Sequence, residues 1–578
     1  MENYRKAYEE WLEDPYFDEA TKEELRGIAE DEGEIRERFY TELEFGTAGL
    51  RGIIGAGTNR MNQYVVQRAT QGLANYILSL GRKDQGVAIA YDSRRMSPEF
   101  ADFAALCLAA NGIKAYVFES LRPTPELSFA VRMLGCTAGI NITASHNPPE
   151  YHGYKVYWED GAQITPPHDT GIMAEVKKVP GYTAAKTMDK AAAMEAGLYE
   201  VIGAKVDDAF IGELKSLVLH PEAIAAESKN LNIVYTPLHG TGNIPVRRVL
   251  SELGFENVHV VKEQELPDGE FPTVSYPNPE ADEAFDLGLK LAKEIDADLV
   301  LATDPDADRL GVRVKDSKTG EYHTLTGNMS GCLLADYEIG QKKALQGLPE
   351  DGVLIKTIVT TNMADAIAKY YGTGLIEVLT GFKYIGQQIL NFEKTGKGTY
   401  LFGFEESYGC LIGTHARDKD AIVASMALAE AAAFYKAQGK TLWDAMIELY
   451  ERYGYYKDDI KSITLKGIEG LQKIQEIMDT LRKNPPAEIG GYKVTSVRDY
   501  KADTIQDTAT GEVKPTGLPS SNVLYYDLTD DAWLCVRPSG TEPKVKFYYG
   551  IKGTSLEDAD AKSQALGAQV LEMINGML

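Results

Sequence analysis

The chain has 578 residues, with 86 acidic and 60 basic side chains and a net charge of −26 at neutral pH. This length predicts roughly three to five domains, and the composition, 44% hydrophobic and 25% charged, excludes wholesale disorder and fibrous structure. So negative a chain is not expected to bind nucleic acid or anionic membranes generally, although a local basic cleft is compatible with it.

The first 45 residues predict helices rich in Glu and Tyr. Their apolar contacts would come from Trp11, Leu12, Leu25, Ile28 and Ile35. The start is acidic and lacks the basic and apolar regions of a signal peptide. The five cysteines are scattered without a Cys-x-x-Cys pair, which fits a reducing compartment, and the longest apolar run is too short for a bilayer. We therefore expect a cytoplasmic protein.

Beyond these helices, short apolar runs alternate with helical patterns, which is typical of α/β layers. Three runs lead into a polar loop and then a helix-like segment, at 87–91, 231–235 and 353–355. Three others lead into the polar sequences 143–148, 303–309 and 403–409. This spacing is too long for a solenoid and suits tandem α/β domains. Since open α/β sheets bind ligands at strand ends, the polar loops are candidate sites.

The pattern changes after about residue 455. A helix at 471–483 is followed by strands and by a turn-rich stretch at 501–522 that predicts a loop or an insertion without an assignable role. The chain closes with strands at 533–536 and 545–549 around the loop 537–544, and a helix from about residue 556. This order predicts a fourth, α+β domain.

Asp304, Asp306 and Asp308 place three carboxylates at alternate positions directly after an apolar strand. Like charges about 4 Å apart repel by roughly 4 kcal/mol per pair at an effective dielectric near 20, so the group requires a cation. Mg²⁺ suits an all-oxygen site. An EF-hand would need Gly and Glu where this chain has Arg309 and Lys315. A solvated acidic turn is the remaining alternative.

Three further loops carry groups suited to phosphates and sugars. The loop 143–148 offers the Ser145 hydroxyl beside His146, although a plain turn is an alternative. The loop 537–544 combines a guanidinium, hydroxyls and an ammonium, the donors that surround a phosphate. The loop 403–409 offers a carboxylate and a hydroxyl that suit sugar hydroxyls, although a surface loop with paired glutamates is an alternative. No Walker A motif is present, so a nucleoside triphosphate is not expected. Together, the loops predict phosphoryl transfer on a sugar.

These four loops, in this order, resemble the signature loops of the α-D-phosphohexomutases, most closely the longer bacterial phosphoglucomutase branch. The resemblance covers nearly the whole chain. It implies a heart-shaped α/β protein of four domains. Three related α/β domains, at 1–212, 213–325 and 326–457, would carry the phosphoserine, metal-binding and sugar-binding loops, and an α+β domain at 458–578 would carry the phosphate-binding loop.

The resemblance also implies roles for the residues that handle the transferred phosphoryl group. Ser145 would be carried as phosphoserine and would bind Mg²⁺ together with Asp304, Asp306 and Asp308. Arg309 matches a residue near the transferred group. Other active-site positions around the serine are matched by Arg51, His146 and Lys155.

A second set of matches concerns the rest of the substrate. Glu405 and Ser407 match the pair that binds sugar hydroxyls. The loop that holds the phosphate not being transferred is matched by Arg537, Ser539, Thr541 and Lys544. Lys356 and Lys383 resemble further substrate-cleft positions, and either could equally be a surface lysine.

The implied activity is the interconversion of glucose 1-phosphate and glucose 6-phosphate, with glucose 1,6-bisphosphate as intermediate and activator, in a monomer or small homo-oligomer. Mannose and pentose phosphates are alternative substrates, and a Mg²⁺-dependent phosphatase or a non-catalytic sugar-phosphate binder are alternative classes. Some relatives carry a histidine where this chain has Tyr408, Gly409 and Cys410. The general base therefore stays open among Lys419, His146 and Lys155.

Overall fold

The computed structural model describes residues 3–46, 49–465, 467–539 and 544–577, without the side chains of 467–469. The chain folds into two compact units. The first comprises Met1–Thr326, Phe382–Tyr400 and Ser407–Leu442, and the second comprises Gly327–Gly381, Leu401–Glu406 and Trp443–Leu578. In the described part of the chain, no helix is both long and apolar enough to cross a lipid bilayer.

Three helices begin the first unit: α1 (Asn3–Glu13), α2 (Glu19–Gly27) and α3 (Glu32–Phe39). The carboxylates of Asp18 and Asp31 accept hydrogen bonds from backbone N–H groups in the first turns of α2 and α3, which caps both helices. Trp11 stacks on Phe17 with ring centroids 4.2 Å apart. Leu25 is fully buried, so the predicted helices and their apolar contacts are confirmed.

A six-stranded sheet follows in the first unit. Its strands are β1 (Gly49–Ile53), β2 (Val87–Tyr91), β3 (Ala115–Phe118), β4 (Ala138–Ile142), β5 (Tyr151–Trp158) and β6 (Tyr199–Ile202). The helices of this region are α4 (Gln63–Ser79), α5 (Ser97–Ala110), α6 (Thr124–Met133), α7 (His168–Lys178) and α8 (Lys190–Glu195). The strand order is β1-β5-β4-β2-β3-β6, in which β2, β3, β4 and β6 run parallel. All of β4 is buried, as expected of a central parallel strand covered on both faces.

The first unit contains a second sheet of the same class. Its elements are α9 (Ala204–Ser216), α10 (Pro221–Glu227), β7 (Ile233–Thr236), α11 (Asn243–Leu253), β8 (Val258–Val260), α12 (Asp286–Ile295), β9 (Leu299–Thr303), β10 (Leu310–Lys315) and β11 (Tyr322–Leu325). The order is β11-β10-β9-β7-β8, and β7 runs parallel to β8 and β9. The buried strand β9 leads directly into the aspartate loop.

The next part of the chain alternates between the two units. Its elements are α13 (Gly327–Gln346), β12 (Gly352–Thr357), α14 (Met363–Tyr371), β13 (Gly374–Val378), α15 (Phe382–Thr395), β14 (Thr399–Glu405), β15 (Gly409–Leu411) and α16 (Ala421–Lys436). Within the second unit, β12 pairs in parallel with β13 and has β14 on its other side. In the first unit, the carboxylate of Asp420 caps α16 by accepting hydrogen bonds from two backbone N–H groups.

An antiparallel sheet completes the second unit. Its elements are α17 (Leu442–Tyr453), β16 (Tyr455–Thr464), α18 (Gly467–Lys483), β17 (Glu488–Ile489), β18 (Tyr492–Asp499), β19 (Thr504–Asp507), β20 (Val513–Lys514), β21 (Leu524–Leu528), β22 (Trp533–Pro538), β23 (Lys544–Gly553) and α19 (Leu556–Asn575). The strand order is β16-β23-β22-β21-β18-β19-β20. Helices α18 and α19 contribute buried Met478 and Val570 to the core beneath this sheet. These sheets confirm the predicted α/β class with an α+β part at the C-terminus.

The stretch 501–522, predicted as a loop or an insertion, is largely turn and loop, and it also contains a short antiparallel hairpin of β19 and β20. The carboxylate of Asp507 accepts hydrogen bonds from the backbone N–H groups of Ala509 and Thr510, and this local turn brings the two strands together. The predicted domain boundaries stay predictions.

Candidate active site

The ends of β4 and β9 bring together two loops that are remote in sequence. The Ser145 hydroxyl donates a hydrogen bond to Asp304 Oδ2 at 2.9 Å, across a separation of 159 residues. Its oxygen also lies 3.2 Å from His146 Nδ1. Ser145 is only 3% exposed. The serine loop and the aspartate loop therefore belong to one buried site in the first unit.

Ser145 has a left-handed backbone conformation, with φ of 52°. Residues other than glycine adopt this conformation uncommonly, and it persists where the surroundings enforce it. The Ser145 backbone N–H donates to Thr143 Oγ1 at 2.8 Å. The Arg94 guanidinium donates to the Ser145 carbonyl at 2.7 Å and to the carbonyls of Pro148 and Tyr151 at 2.8 and 3.1 Å. Arg94 therefore fixes the shape of the loop that presents the serine hydroxyl.

Asp92 anchors this arrangement from the loop after β2. Its Oδ2 accepts a hydrogen bond from Thr143 Oγ1 at 2.6 Å and lies 3.3 Å from Arg94 Nε, and its Oδ1 accepts from Ser97 Oγ at 2.8 Å. Burial raises the pKa of Asp92, and the Arg94 guanidinium opposes this shift. Sequence reasoning marked this loop as a candidate site from its place at a strand end, but it assigned no role to Asp92 or Arg94.

Asp304, Asp306 and Asp308 form a compact buried trio. One oxygen from each lies within 4.8 Å of those from the other two. Asp304 Oδ1 accepts hydrogen bonds from the backbone N–H groups of Asp308 and Arg309, both at 3.1 Å. Asp306 Oδ2 accepts from Lys155 Nζ at 2.9 Å. The loop therefore directs the three carboxylates toward one point.

The electrostatics of the trio fit a divalent cation. Burial raises the pKa of Asp304 well above its usual range, and the charges of Asp306 and Asp308 raise it further. Burial and Asp306 likewise raise the pKa of Asp308. Burial alone would raise the pKa of Asp306, but the Lys155 ammonium, together with hydrogen bonds from Asp304 and Thr124, holds this pKa below its usual range.

Two carboxylate oxygen atoms of the trio are buried without a hydrogen bond in the described part of the chain. These atoms are Asp306 Oδ1 and Asp308 Oδ1. Buried polar atoms are rarely left in this state. Carboxylate oxygens are the ligands of hard divalent cations, so this donor set fits a metal site formed by the three aspartates and the Ser145 oxygen.

A neutral imidazole, His146, and two guanidinium groups, Arg51 and Arg309, lie near Ser145. Burial lowers the pKa of His146 well below its usual range, and Arg309 and Arg51 lower it further, so its ring is neutral at neutral pH. Arg51 donates to Asn147 Oδ1 at 3.0 Å within the serine loop. Arg309 donates to Glu280 Oε1 at 2.7 Å. The sequence-predicted positions His146, Arg51 and Lys155 thus all contact the serine or aspartate loops.

Lys419 also reaches the trio. Its Nζ lies 3.2 Å from Asp308 Oδ2 and 3.1 Å from Asp418 Oδ1. Asp418 Oδ2 in turn accepts a hydrogen bond from the buried Tyr157 hydroxyl at 2.9 Å. Burial and the charge of Asp418 raise the pKa of Tyr157, so the phenol stays a donor. Lys419 therefore contacts the aspartate trio, and Asp418, which sequence reasoning did not identify, helps to position it.

Lys383 belongs to another part of the first unit. It lines a cavity of about 170 Å³ together with Trp158, His168 and Lys394. Its ammonium lies 5.3 Å from the ring centroid of Tyr384, and burial lowers the pKa of this lysine. Its predicted contact with substrate stays a prediction.

In the second unit, the predicted Lys356 is fully buried. Its ammonium hydrogen bonds to Asp365 and lies 3.5 Å from Glu377 Oε1. Burial alone would lower the pKa of Lys356, but Glu377 and Asp365 outweigh it and raise this pKa. The charge of Lys356 is therefore balanced within the unit, and its substrate contact stays a prediction.

The remaining predicted residues are on two loops. Glu405 is the last residue of β14 and is 4% exposed, and Ser407 is half-buried in the first unit. Arg537 is half-buried near the end of β22, and the Ser539 backbone N–H donates to the Lys544 carbonyl at 2.7 Å. Thr541 lies outside the described residues. Their binding roles stay predictions.

Comparisons with known proteins define the class. The sequence matches the family models phosphoglucomutase/phosphomannomutase alpha/beta/alpha domain I over residues 42–182, domain II over 208–319 and domain III over 326–453. A phosphoglucomutase of Staphylococcus epidermidis is 37% identical over 520 residues, covering 90% of this chain and 92% of the relative. A phosphoglucomutase of Staphylococcus aureus is 37% identical over 534 residues, covering 92% of this chain and 94% of the relative.

Two solved structures show the same fold. The Paramecium phosphoprotein pp63/parafusin, a phosphoglucomutase in its open form, has a TM-score of 0.67 at 18% identity, covering 93% of this chain and 95% of its own. A phosphoglucomutase/phosphomannomutase family protein of Burkholderia thailandensis has a TM-score of 0.63 at 19% identity, with 93% and 98% coverage. The chain belongs to the phosphoglucomutase/phosphomannomutase family, within the α-D-phosphohexomutases. The resemblance seen in the sequence is confirmed.

Proposed function

We propose that this chain is a phosphoglucomutase that interconverts α-D-glucose 1-phosphate and glucose 6-phosphate. The two staphylococcal relatives carry this activity in their names. The observation that carries the proposal is the Ser145 hydroxyl, held 2.9 Å from a carboxylate of the buried aspartate trio. A nucleophilic oxygen next to a cation-binding site is what phosphoryl transfer requires.

In this mechanism Ser145 carries a phosphoryl group as its phosphate ester. The bond between phosphorus and Ser145 Oγ breaks as a bond forms to a hydroxyl oxygen of the hexose monophosphate, which gives glucose 1,6-bisphosphate. The bisphosphate then reorients so that its other phosphoryl group faces Ser145. That group is transferred to Ser145 Oγ as its bond to the sugar oxygen breaks, and the isomeric monophosphate leaves. A Mg²⁺ ion bound by Asp304, Asp306, Asp308 and the Ser145 oxygen would neutralise charge on the transferring group.

The protons moved in these steps need a group that can change its charge. We assign proton transfer at the Ser145 oxygen to His146, because its Nδ1 lies 3.2 Å from that oxygen. Lys155 and Lys419 contact carboxylates of the trio and balance its charge. Lys419, Lys155 and His146 all remain candidates for the base that deprotonates the sugar hydroxyl.

The rest of the substrate would be bound by the other signature loops. In this proposal Glu405 and Ser407 bind sugar hydroxyls, Arg51 and Arg309 bind the phosphoryl group under transfer, and Lys356 and Lys383 lie along the substrate path. The other phosphate is bound by Arg537, Ser539, Thr541 and Lys544.

The decisive experiment tests Ser145 as phosphoryl carrier. The intact mass of the purified protein should show one phosphate, which peptide mapping places on Ser145. Ser145→Ala should reduce kcat at least about 10³-fold, since the nucleophile is removed. Ser216→Ala, an exposed serine at the end of α9, is the matched control and should retain activity. Full mutase activity of Ser145→Ala without added glucose 1,6-bisphosphate would refute the proposal.

Substrate choice is tested separately. The kcat/KM for glucose 1-phosphate should exceed the values for mannose 1-phosphate and ribose 1-phosphate, and a reversed order would make the chain a phosphomannomutase or phosphopentomutase. Steady release of inorganic phosphate would instead indicate a phosphatase. Sugar-phosphate binding without turnover in Mg²⁺ would indicate a non-catalytic binder.

A further inference from the structure

Thr124, the first residue of α6, makes two contacts to the aspartate loop. Its backbone N–H donates to the Asp306 carbonyl at 2.9 Å, and its hydroxyl donates to Asp306 Oδ2 at 2.8 Å, across 182 residues of sequence. Thr124 is fully buried. The backbone N–H groups of a helix's first turn have no partner within the helix and favour negative charge. The start of α6 therefore supports the aspartate loop from one side.

Asn141 fixes the direction of the Thr124 hydroxyl. Its side-chain Nδ2 donates to Thr124 Oγ1 at 2.6 Å. A hydroxyl has a single hydrogen, and an ionised carboxylate oxygen can only accept. Since Asn141 occupies a lone pair of the Thr124 oxygen, the hydroxyl hydrogen is directed to Asp306. Both Asn141 and Thr124 are fully buried, so water does not compete for these bonds.

Asn141 is also the neighbour of Lys155 in the first sheet. The two residues are paired across β4 and β5. Lys155 Nζ donates directly to Asp306 Oδ2 at 2.9 Å, whereas Asn141 acts on the same oxygen through Thr124. Two donors thus converge on Oδ2 of one carboxylate. The other oxygen, Oδ1, is buried without a hydrogen-bond partner in the described part of the chain.

We propose that Thr124, oriented by Asn141, is a positioning residue for the metal ligand Asp306. Thr124 and Lys155 both donate to Oδ2 of Asp306, which leaves Oδ1 of the same carboxylate to bind the cation. The inference rests on the metal site of the proposed function and extends it, because hydrogen-bond partners of ligating carboxylates orient the ligand and tune the affinity for the metal. A purely structural role would make Thr124 important for stability and irrelevant to cation binding.

The test is the dissociation constant for Mg²⁺, measured by titration calorimetry on the full chain without substrate. Thr124→Val keeps the shape and removes the hydroxyl, and should weaken Mg²⁺ binding about tenfold or more. Thr124→Ser keeps the hydroxyl and should bind Mg²⁺ like the wild type. The matched control is Thr70→Val, which removes another fully buried hydroxyl, one bonded to the Val66 carbonyl in α4. It should leave Mg²⁺ affinity unchanged.

A second variant covers the possibility that Thr124→Val does not fold. Asn141→Ala leaves Thr124 in place but releases its hydroxyl from a fixed direction, and should weaken Mg²⁺ binding in the same sense. Wild-type affinity in a folded Thr124→Val or Asn141→Ala protein would overturn the inference, as would equal weakening in Thr70→Val. A wild-type chain that does not bind Mg²⁺ would overturn both this inference and the proposed metal site. Mg²⁺ binding without mutase activity would overturn the proposed function alone.

Discussion

Ser145 combines a buried hydroxyl with a left-handed backbone conformation. For residues with a Cβ atom this conformation costs roughly 1–2 kcal/mol, whereas glycine adopts it freely. The bonds from Arg94 and Thr143 to the serine backbone offset that cost. The loop therefore fixes the orientation of Ser145 Oγ before any substrate binds, which is the kind of preorganisation that phosphoryl transfer uses.

Two variants that both lack the Ser145 hydroxyl can measure the energetic cost of its left-handed backbone conformation. Ser145→Gly and Ser145→Ala both lose the hydroxyl and its bond to Asp304, so any difference between them comes from the backbone. We expect the glycine variant to be more stable by about 1 kcal/mol, because only alanine pays the steric cost of positive φ. Urea unfolding followed by circular dichroism measures the difference. An alanine variant as stable as the glycine variant would show that the left-handed conformation is not enforced in solution.

At the scale of elements, hydrogen bonds and ion pairs of the segment between β15 and α16 position Lys419 next to the aspartate trio. His415 Nε2 lies 2.7 Å from Asp420 Oδ2, and Asp420 caps α16. Tyr157 on β5 holds Asp418, which contacts the Lys419 ammonium. The position of Lys419 is thus determined by the first sheet as well as by its own segment.

Tyr157→Phe tests this connection. The variant removes the hydroxyl that holds Asp418, so we expect a loss of about 1 kcal/mol in stability and a drop of about tenfold in kcat from the displaced Lys419. The matched control is Tyr154→Phe on the same strand, whose hydroxyl lies within hydrogen-bond distance of Thr70 Oγ1, at 3.0 Å. It should lose a similar amount of stability and keep its kcat. Equal kcat in both variants would mean that Asp418 does not position Lys419.

The sequence predicted elements and loops better than it predicted contacts. The strands before 143–148 and 303–309 were expected from their apolar runs, and strand-end geometry explains why Ser145 and Asp304 meet. Thr124 could not be predicted, because its partner Asp306 is 182 residues away and no local pattern marks it. The burial of Lys356 among carboxylates was also missed, since a lysine near the end of an apolar strand has the same local sequence whether it binds a substrate or an internal Glu377.

At the scale of the whole molecule, a chain with a net charge of −26 holds three buried carboxylates next to one another. Burial and mutual repulsion raise the pKa of Asp304 and of Asp308. Without a cation Asp304 and Asp308 therefore retain protons to a higher pH than isolated aspartates would, whereas the pKa of Asp306 is lowered. In the proposed function Mg²⁺ binds the ionised carboxylates, so its binding would displace those protons.

We therefore expect Mg²⁺ affinity to rise with pH and to weaken as pH falls through the raised pKa values of Asp304 and Asp308. Calorimetric titrations in two buffers with different ionisation enthalpies at one pH should show net proton release. Chelation of the cation should lower the thermal unfolding midpoint, because a ligand bound to the native state stabilises it. A dissociation constant independent of pH, with no proton release, would contradict this account.

Asn141 and Ser145 lie on one short stretch of chain, the end of β4 and the turn after it. Asn141 donates to Thr124, which in turn donates to Asp306, and in the proposed function Ser145 carries the phosphate ester. One short stretch of chain would therefore hold both a support of the aspartate trio and the phosphoryl carrier. In that function both halves of the reaction would use the same carrier beside the same three carboxylates, whichever end of the hexose faces the serine.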